Sequence, residues 1–86
     1  MPSNHLPIRS TDIFEGQLAR LGRAERIRAD DAIGELAYAI SESSDIGEPV
    51  DVGYALPIDI FGQEYLVYWT VDDTAIEFYA IAKVRR

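Results

Sequence analysis

The chain has no cysteine and a single histidine, His5. Without thiols neither a disulfide framework nor a thiolate zinc site can brace it, so its stability has to come from packing, and a reducing compartment suits it. No apolar run approaches the roughly 18 residues of a membrane span, and the opening MPSNHLPIRS lacks the charged and hydrophobic parts of a signal peptide. A soluble, cytoplasmic chain is expected. There is no repeat, no P-loop, no GxGxxG and no all-oxygen calcium loop, so nucleotide and metal chemistry lack ligands and no cofactor is expected.

Positive charge is the other shortage. Net charge is −7, and from Ser41 to Asp73 there are eight acids (Glu42, Asp45, Glu48, Asp51, Asp59, Glu64, Asp72, Asp73) and no Lys or Arg. The cations gather elsewhere: Arg20, Arg23, Arg26 and Arg28 earlier in the chain, Lys83, Arg85 and Arg86 at the end. An acidic surface repels phosphate and favours basic partners, so direct nucleic-acid binding is not expected. The arginines at helical spacing from Asp30 read as a solvated, self-paired face rather than a nucleic-acid patch.

What is present is apolar pattern. With 86 residues and 48% hydrophobic content the chain supports one core, and residues 1–86 are expected to form a single domain. His5 to Ser10 reads as a first strand, with Pro7 suiting a sheet edge. Ser10, Thr11 or Asp12 caps the following helix, whose stripe Phe14, Leu18, Leu21 ends at Gly22. A second helix, about Ala24 to Ile40, carries Ile33, Leu36, Ala37 and Ile40 at i, i+3, i+4, i+7. Beyond the SSDIGEP loop the period becomes two: Leu56, Ile58 and Ile60 alternate with polar or proline positions, Gly62 and Gln63 turn the chain, and Tyr65 to Val71 forms a central strand. Asp72 and Asp73 turn it again. Ala75 to Ala82 returns with Ile76, Phe78 and Ala80 on one side and Glu77, Tyr79 and Ile81 on the other. The expected class is α+β, two helices packed on an antiparallel sheet in the order β-α-α-β-β-β, with Leu66, Tyr68 and Tyr79 on the face away from the helices.

The segment IGEPVDVGYALPIDIFGQEYLVYWTVDDTAIEFYAIAKVRR carries a sequence of small signals: a GxPV turn (Gly47 to Val50), an FG hairpin (Phe61, Gly62), YxVYxxVDD (Tyr65, Val67, Tyr68, Val71, Asp72, Asp73), and a last apolar strand running into Lys83, Val84, Arg85 and Arg86. In that order they resemble the carboxy-terminal half of the ParE/RelE superfamily of toxins from type II toxin–antitoxin modules, and IRSTDIFEGQLARL resembles the strand leading into the family's first helix. The resemblance implies a compact toxin domain bound by a cognate antitoxin segment. Members similar to RelE cut messenger RNA in the ribosome, whereas members similar to ParE inhibit DNA gyrase by binding.

Three cations usual in that family are replaced here, by Glu48, by Tyr54-Ala55 and by Thr70. Lys83 stands where members often carry histidine, Arg85 and Arg86 match terminal arginines, and no tyrosine or histidine follows them to act as acid or base. Ribosomal cleavage needs cations around the scissile phosphate and a proton donor and acceptor, so the enzyme reading is disfavoured and no catalytic residue is assigned. The expected function is a toxin acting by protein binding, gyrase-type inhibition ahead of mRNA cleavage. Its target- or antitoxin-binding residues are Lys83, Arg85, Arg86, Tyr68 and Tyr79. The alternative is a non-toxic acidic protein on the same fold that inhibits a nucleic-acid-binding machine, in the manner of anti-CRISPR or DNA-mimic proteins, through Glu48, Asp51, Asp59 and Glu64. A ribosome-dependent mRNA interferase is the third reading. A homodimer is left open, because Trp69, Tyr68, Tyr79 and Leu66 suit a partner, an antitoxin or the chain's own helices equally.

Overall fold

Thr11 is where the chain leaves extended structure: its side-chain oxygen accepts from the Phe14 amide at 3.1 Å, satisfying a donor that a helix start otherwise orphans. The computed structural model describes residues 6–43 and 45–85. In order they form β1 (Ile8–Ser10), α1 (Asp12–Ala19), α2 (Arg23–Glu42), β2 (Glu48–Pro49), β3 (Tyr54–Ile60), β4 (Gln63–Val71) and β5 (Ile76–Lys83). His5, Ser44 and Arg86 lie outside the described residues. Gly22 does not end α1 as the sequence suggested. α1 closes at Arg20, with Arg20 N bonded to Gln17 O and Leu21 N to Leu18 O, and Gly22 (φ −62°, ψ 162°) is the N-cap of α2.

The five strands make one sheet in the order β1-β5-β4-β3-β2. The expected antiparallel meander is β3-β4-β5, with β4 in the centre. β1 adds to β5 in parallel, pairing Ile8 with Ile76 and Ser10 with Phe78, which makes the sheet mixed. β2 is an addition the sequence hid inside a loop: Glu48 and Pro49 pair with Ala55 and Tyr54. Between β3 and β4 the turn is Phe61-Gly62, not Gly62-Gln63. Ile60 pairs with Gln63, Phe61 takes φ +50° and Gly62 φ +84°, the left-handed pair of a two-residue hairpin loop.

Both helices cover one face. α1 lies over β5, where the Phe14 and Phe78 rings stack at 5.6 Å, and α2 reaches across to β3. Trp69, Phe78, Ile60, Ile76 and Val67 are the largest fully buried side chains, joined by Ile33, Leu36, Ala37 and Ile40 from α2 in the spacing the sequence showed. One strand departs from simple alternation. Tyr68 pairs with Ala80 but Trp69 with Phe78, so β5 carries one extra residue, Tyr79, in a bulge. Past the bulge the faces exchange. Ile76, Phe78 and Ile81 are therefore the inward set, and Ala80, expected beside Ile76 and Phe78, faces the other way.

Candidate interaction face

Directly opposed residues of a sheet share a face, so the register assigns each side chain. Tyr65, Val67 and Trp69 of β4 turn toward the helices, and Glu64, Leu66, Tyr68 and Thr70 turn away. On this open face Leu66 is flanked by Pro57 and Ala82, Tyr68 by Ala55 and Ala80, Glu64 by Asp59, and Thr70 by Glu77. Trp69, one of the aromatics considered for a partner surface, is 0% exposed and belongs to the core.

The bulge delivers Tyr79 to Tyr68. Their ring centroids are 5.8 Å apart, and the Tyr79 hydroxyl donates to the Val52 carbonyl at 2.5 Å, tying the β2–β3 loop to the sheet. The chain on either side of β2 is pressed close to Trp69 as well. Gly47 has φ +87°, and a Cβ there would stand 2.6 Å from the Trp69 ring; Gly53 has φ +79° against the Trp69 carbonyl. Only glycine combines that backbone with that approach. The result is a groove of about 530 Å³, walled by Glu48 and Val50 and floored by Ala55, Pro57, Leu66 and Tyr68. It lies within the size range of preformed ligand clefts. A second recess beside it is lined by Val50, Asp51, Val52, Tyr68 and Tyr79.

All four acids named from the sequence border this face. Glu48 opposes Ala55 across β2–β3, Asp51 lies beside the tyrosine pair, and Asp59 and Glu64 oppose each other across β3–β4. Like charges directly opposite destabilise a sheet. The Asp59 carboxylate accepts from the Gly62 amide at 3.2 Å. Glu77 also faces outward here, beside Arg9, the only cation of the described strand residues on this side.

The basic residues named with the tyrosines are not with them. Lys83 opposes Tyr65, a residue packed on the helix-side core, so it faces the helical side. Arg85 follows the end of β5 and shares a shallow recess with Lys83, Gln63 and Val84, where Gln63 Nε2 donates to the Val84 carbonyl at 3.0 Å. The structure thus brings Tyr68 and Tyr79 together with Glu48 and Asp51, and sets Lys83 and Arg85 apart. Sequence reasoning missed the wall, Val50 and Val52. The alternation in PVDVGY was its only trace, too short to be read as a strand. Among the described residues no group of three His, Cys, Asp or Glu converges to hold a metal ion.

No protein-family model matches the sequence, and no curated protein does. A solved structure does: a chain of the crystal structure of the intact E. coli RelBE toxin–antitoxin complex, at 12% identity and a TM-score of 0.70, covering 94% of this chain and 99% of that one. At that identity the likeness is one of fold. The likeness covers nearly the whole of both chains, so the two share one α+β fold, here two helices on one face of a five-stranded sheet whose core is the β3-β4-β5 meander.

Proposed function

We propose that the chain is the toxin component of a toxin–antitoxin module and acts by binding a protein, in the manner of gyrase inhibition rather than mRNA cleavage. The carrying observation is the composition of the open sheet face, where Ala55, Leu66, Tyr68, Thr70 and Ala80 stand among Glu48, Asp59, Glu64 and Glu77. A phosphodiester in that place meets carboxylates and, among the described strand residues, Arg9 as the one cation, which is no clamp for the charge that develops in the in-line attack of a 2′-hydroxyl. Binding chemistry needs none of that. Lys83 and Arg85 form the basic corner available to carboxylates of a target or of an antitoxin, and the likeness to a chain of a toxin–antitoxin complex supports a cognate antitoxin as partner.

The test is induced expression in a bacterial host of the wild type beside a Lys83→Ala, Arg85→Ala, Arg86→Ala triple variant, following growth, protein synthesis and DNA supercoiling. Growth arrest relieved by the triple substitution, with supercoiling lost before protein synthesis, is the expected result. Loss of protein synthesis first makes translation the target. Unimpaired growth at high soluble expression removes the toxin reading and leaves the acidic inhibitor.

A further inference from the structure

We propose that the open face of the sheet is a docking surface for a basic amphipathic segment of a partner protein, whose apolar side chains enter the groove over Leu66, Pro57 and Tyr68 while its lysines or arginines meet the surrounding carboxylates. This rests on reading the chain as a protein-binding domain and is independent of toxicity.

Three observations carry it. The groove of about 530 Å³ is built and held: the Tyr79–Val52 hydrogen bond and the two left-handed glycines against Trp69 fix its wall before anything binds. Its floor is apolar, yet it is left open on a molecule that buries Trp69, Phe78 and Ile76 completely. Open apolar floor of this kind marks a contact site. Glu48, Asp51, Asp59 and Glu64 stand along its border, and among the described residues neither this groove nor the recess beside it is lined by a Lys or Arg.

The same observations discard other occupants. A nucleic acid brings phosphate to carboxylates. A second copy docking by two-fold symmetry sets this patch against itself, acid on acid. A strand added to the outer edge of β3 meets Pro57, which has no amide hydrogen to give, with Asp59 two residues on, a pairing that blocks edge addition. What remains lies across the face: an amphipathic segment with a basic rim, recognised by its apolar anchors and selected by charge.

The probe is a synthetic peptide of leucines and lysines at amphipathic helical spacing, with a glutamate-for-lysine peptide as control, titrated into isotopically labelled full-length protein and read by amide chemical shifts. Shifts are expected at Ala55, Leu66, Tyr68 and Ala80. Affinity is expected to fall at least about tenfold in a Glu48→Lys, Asp51→Lys variant and again on raising salt to about 0.5 M, where charge pairing is screened. Leu66→Ser weakens binding and Ile27→Ser, on the exposed side of α2, leaves it unchanged; the free variants' own spectra report whether each is folded. Shifts confined to the helices or the Lys83 corner, equal binding of the glutamate peptide, or affinity indifferent to both face variants overturns the proposal. So does a self-associated free protein that Leu66→Ser converts to monomer, which assigns the face to a second copy. Peptide binding without growth arrest sinks the toxin reading alone, and growth arrest without peptide binding sinks this inference alone.

Discussion

Phe61 is 68% exposed and holds φ +50°, a left-handed backbone that costs a non-glycine residue on the order of 1 kcal/mol. Asparagine is favoured there, and little packing is lost by removing the ring. Phe61→Asn is therefore expected to raise stability by about 0.5–1 kcal/mol, seen as a higher urea midpoint at unchanged slope. An unchanged or lower midpoint means the ring packs in solution. At the opposite hairpin Asp72 works differently. Its Oδ1 accepts from the Thr74 hydroxyl and amide, both at 2.7 Å, and from the Ala75 amide at 3.0 Å, and these bonds, the hydroxyl first, hold its carboxyl below the ordinary value of 3.8. A depressed value favours the ionised folded form, so the stabilisation is complete above 3.8 and is lost as pH falls through the lower folded value. The thermal midpoint of Asp72→Ala is expected below wild type at neutral pH and to converge with it under strongly acidic conditions. A constant gap across pH makes the turn's shape, not its charge, the source. Both turns were legible in the sequence as turns. What FG and DD did not reveal was which residue holds the left-handed angle and which carboxylate takes the bonds, because those choices follow from strand register.

β5 shows the same limit on a larger scale. IEFYAIAK has apolar residues at both parities, so alternation predicts a flat strand with Ala80 inward, and nothing local announces the extra residue at Tyr79. The bulge is fixed by tertiary partners. Thr11 N donates to Phe78 O at 3.0 Å, Thr11 Oγ1 to Tyr79 O at 3.3 Å, and the Ile81 amide donates to Gln17 Oε1 at 2.8 Å, a helix side chain closing a sheet edge that β1 is too short to cover. Those contacts turn Ile81 into the core and aim Tyr79 at Tyr68, so the groove depends on α1. Gln17→Ala leaves the Ile81 amide without its acceptor at a part-buried edge, an expected loss of about 1–2 kcal/mol. Hydrogen exchange checks it: the Ile81 amide is expected to exchange far faster in the variant, while Val67 at the sheet centre changes only with global stability. Equal protection at Ile81 shows that the edge is closed by something other than Gln17. The helices, by contrast, were readable in advance, because Phe14 with Leu18 and Ile33 with Leu36, Ala37 and Ile40 bury the stripe that their spacing defines.

At the scale of the whole molecule, charge and fold pull apart. The apolar pattern alone leads to an α+β sheet with its helices on one face, but a net charge of −7 with no cation from Ser41 to Asp73 stores repulsion in the half that builds the meander. Self-repulsion of this kind is screened by salt: going from about 0.01 M to about 0.1 M shortens the screening length from about 30 Å to about 10 Å. The thermal midpoint is therefore expected to rise over that interval. Asp59→Asn is expected to raise the low-salt midpoint and flatten the dependence, since the amide oxygen still accepts from Gly62 N while the charge opposite Glu64 is gone. A midpoint that falls with salt instead means that attractive pairs outweigh the repulsion. Docking of a basic segment must answer to salt in the opposite sense, because its carboxylates gain partners that screening weakens. One set of acids then has two measurable signatures, a fold that tightens with salt and a complex that loosens with it. A surface whose acidity serves solubility alone shows the first without the second.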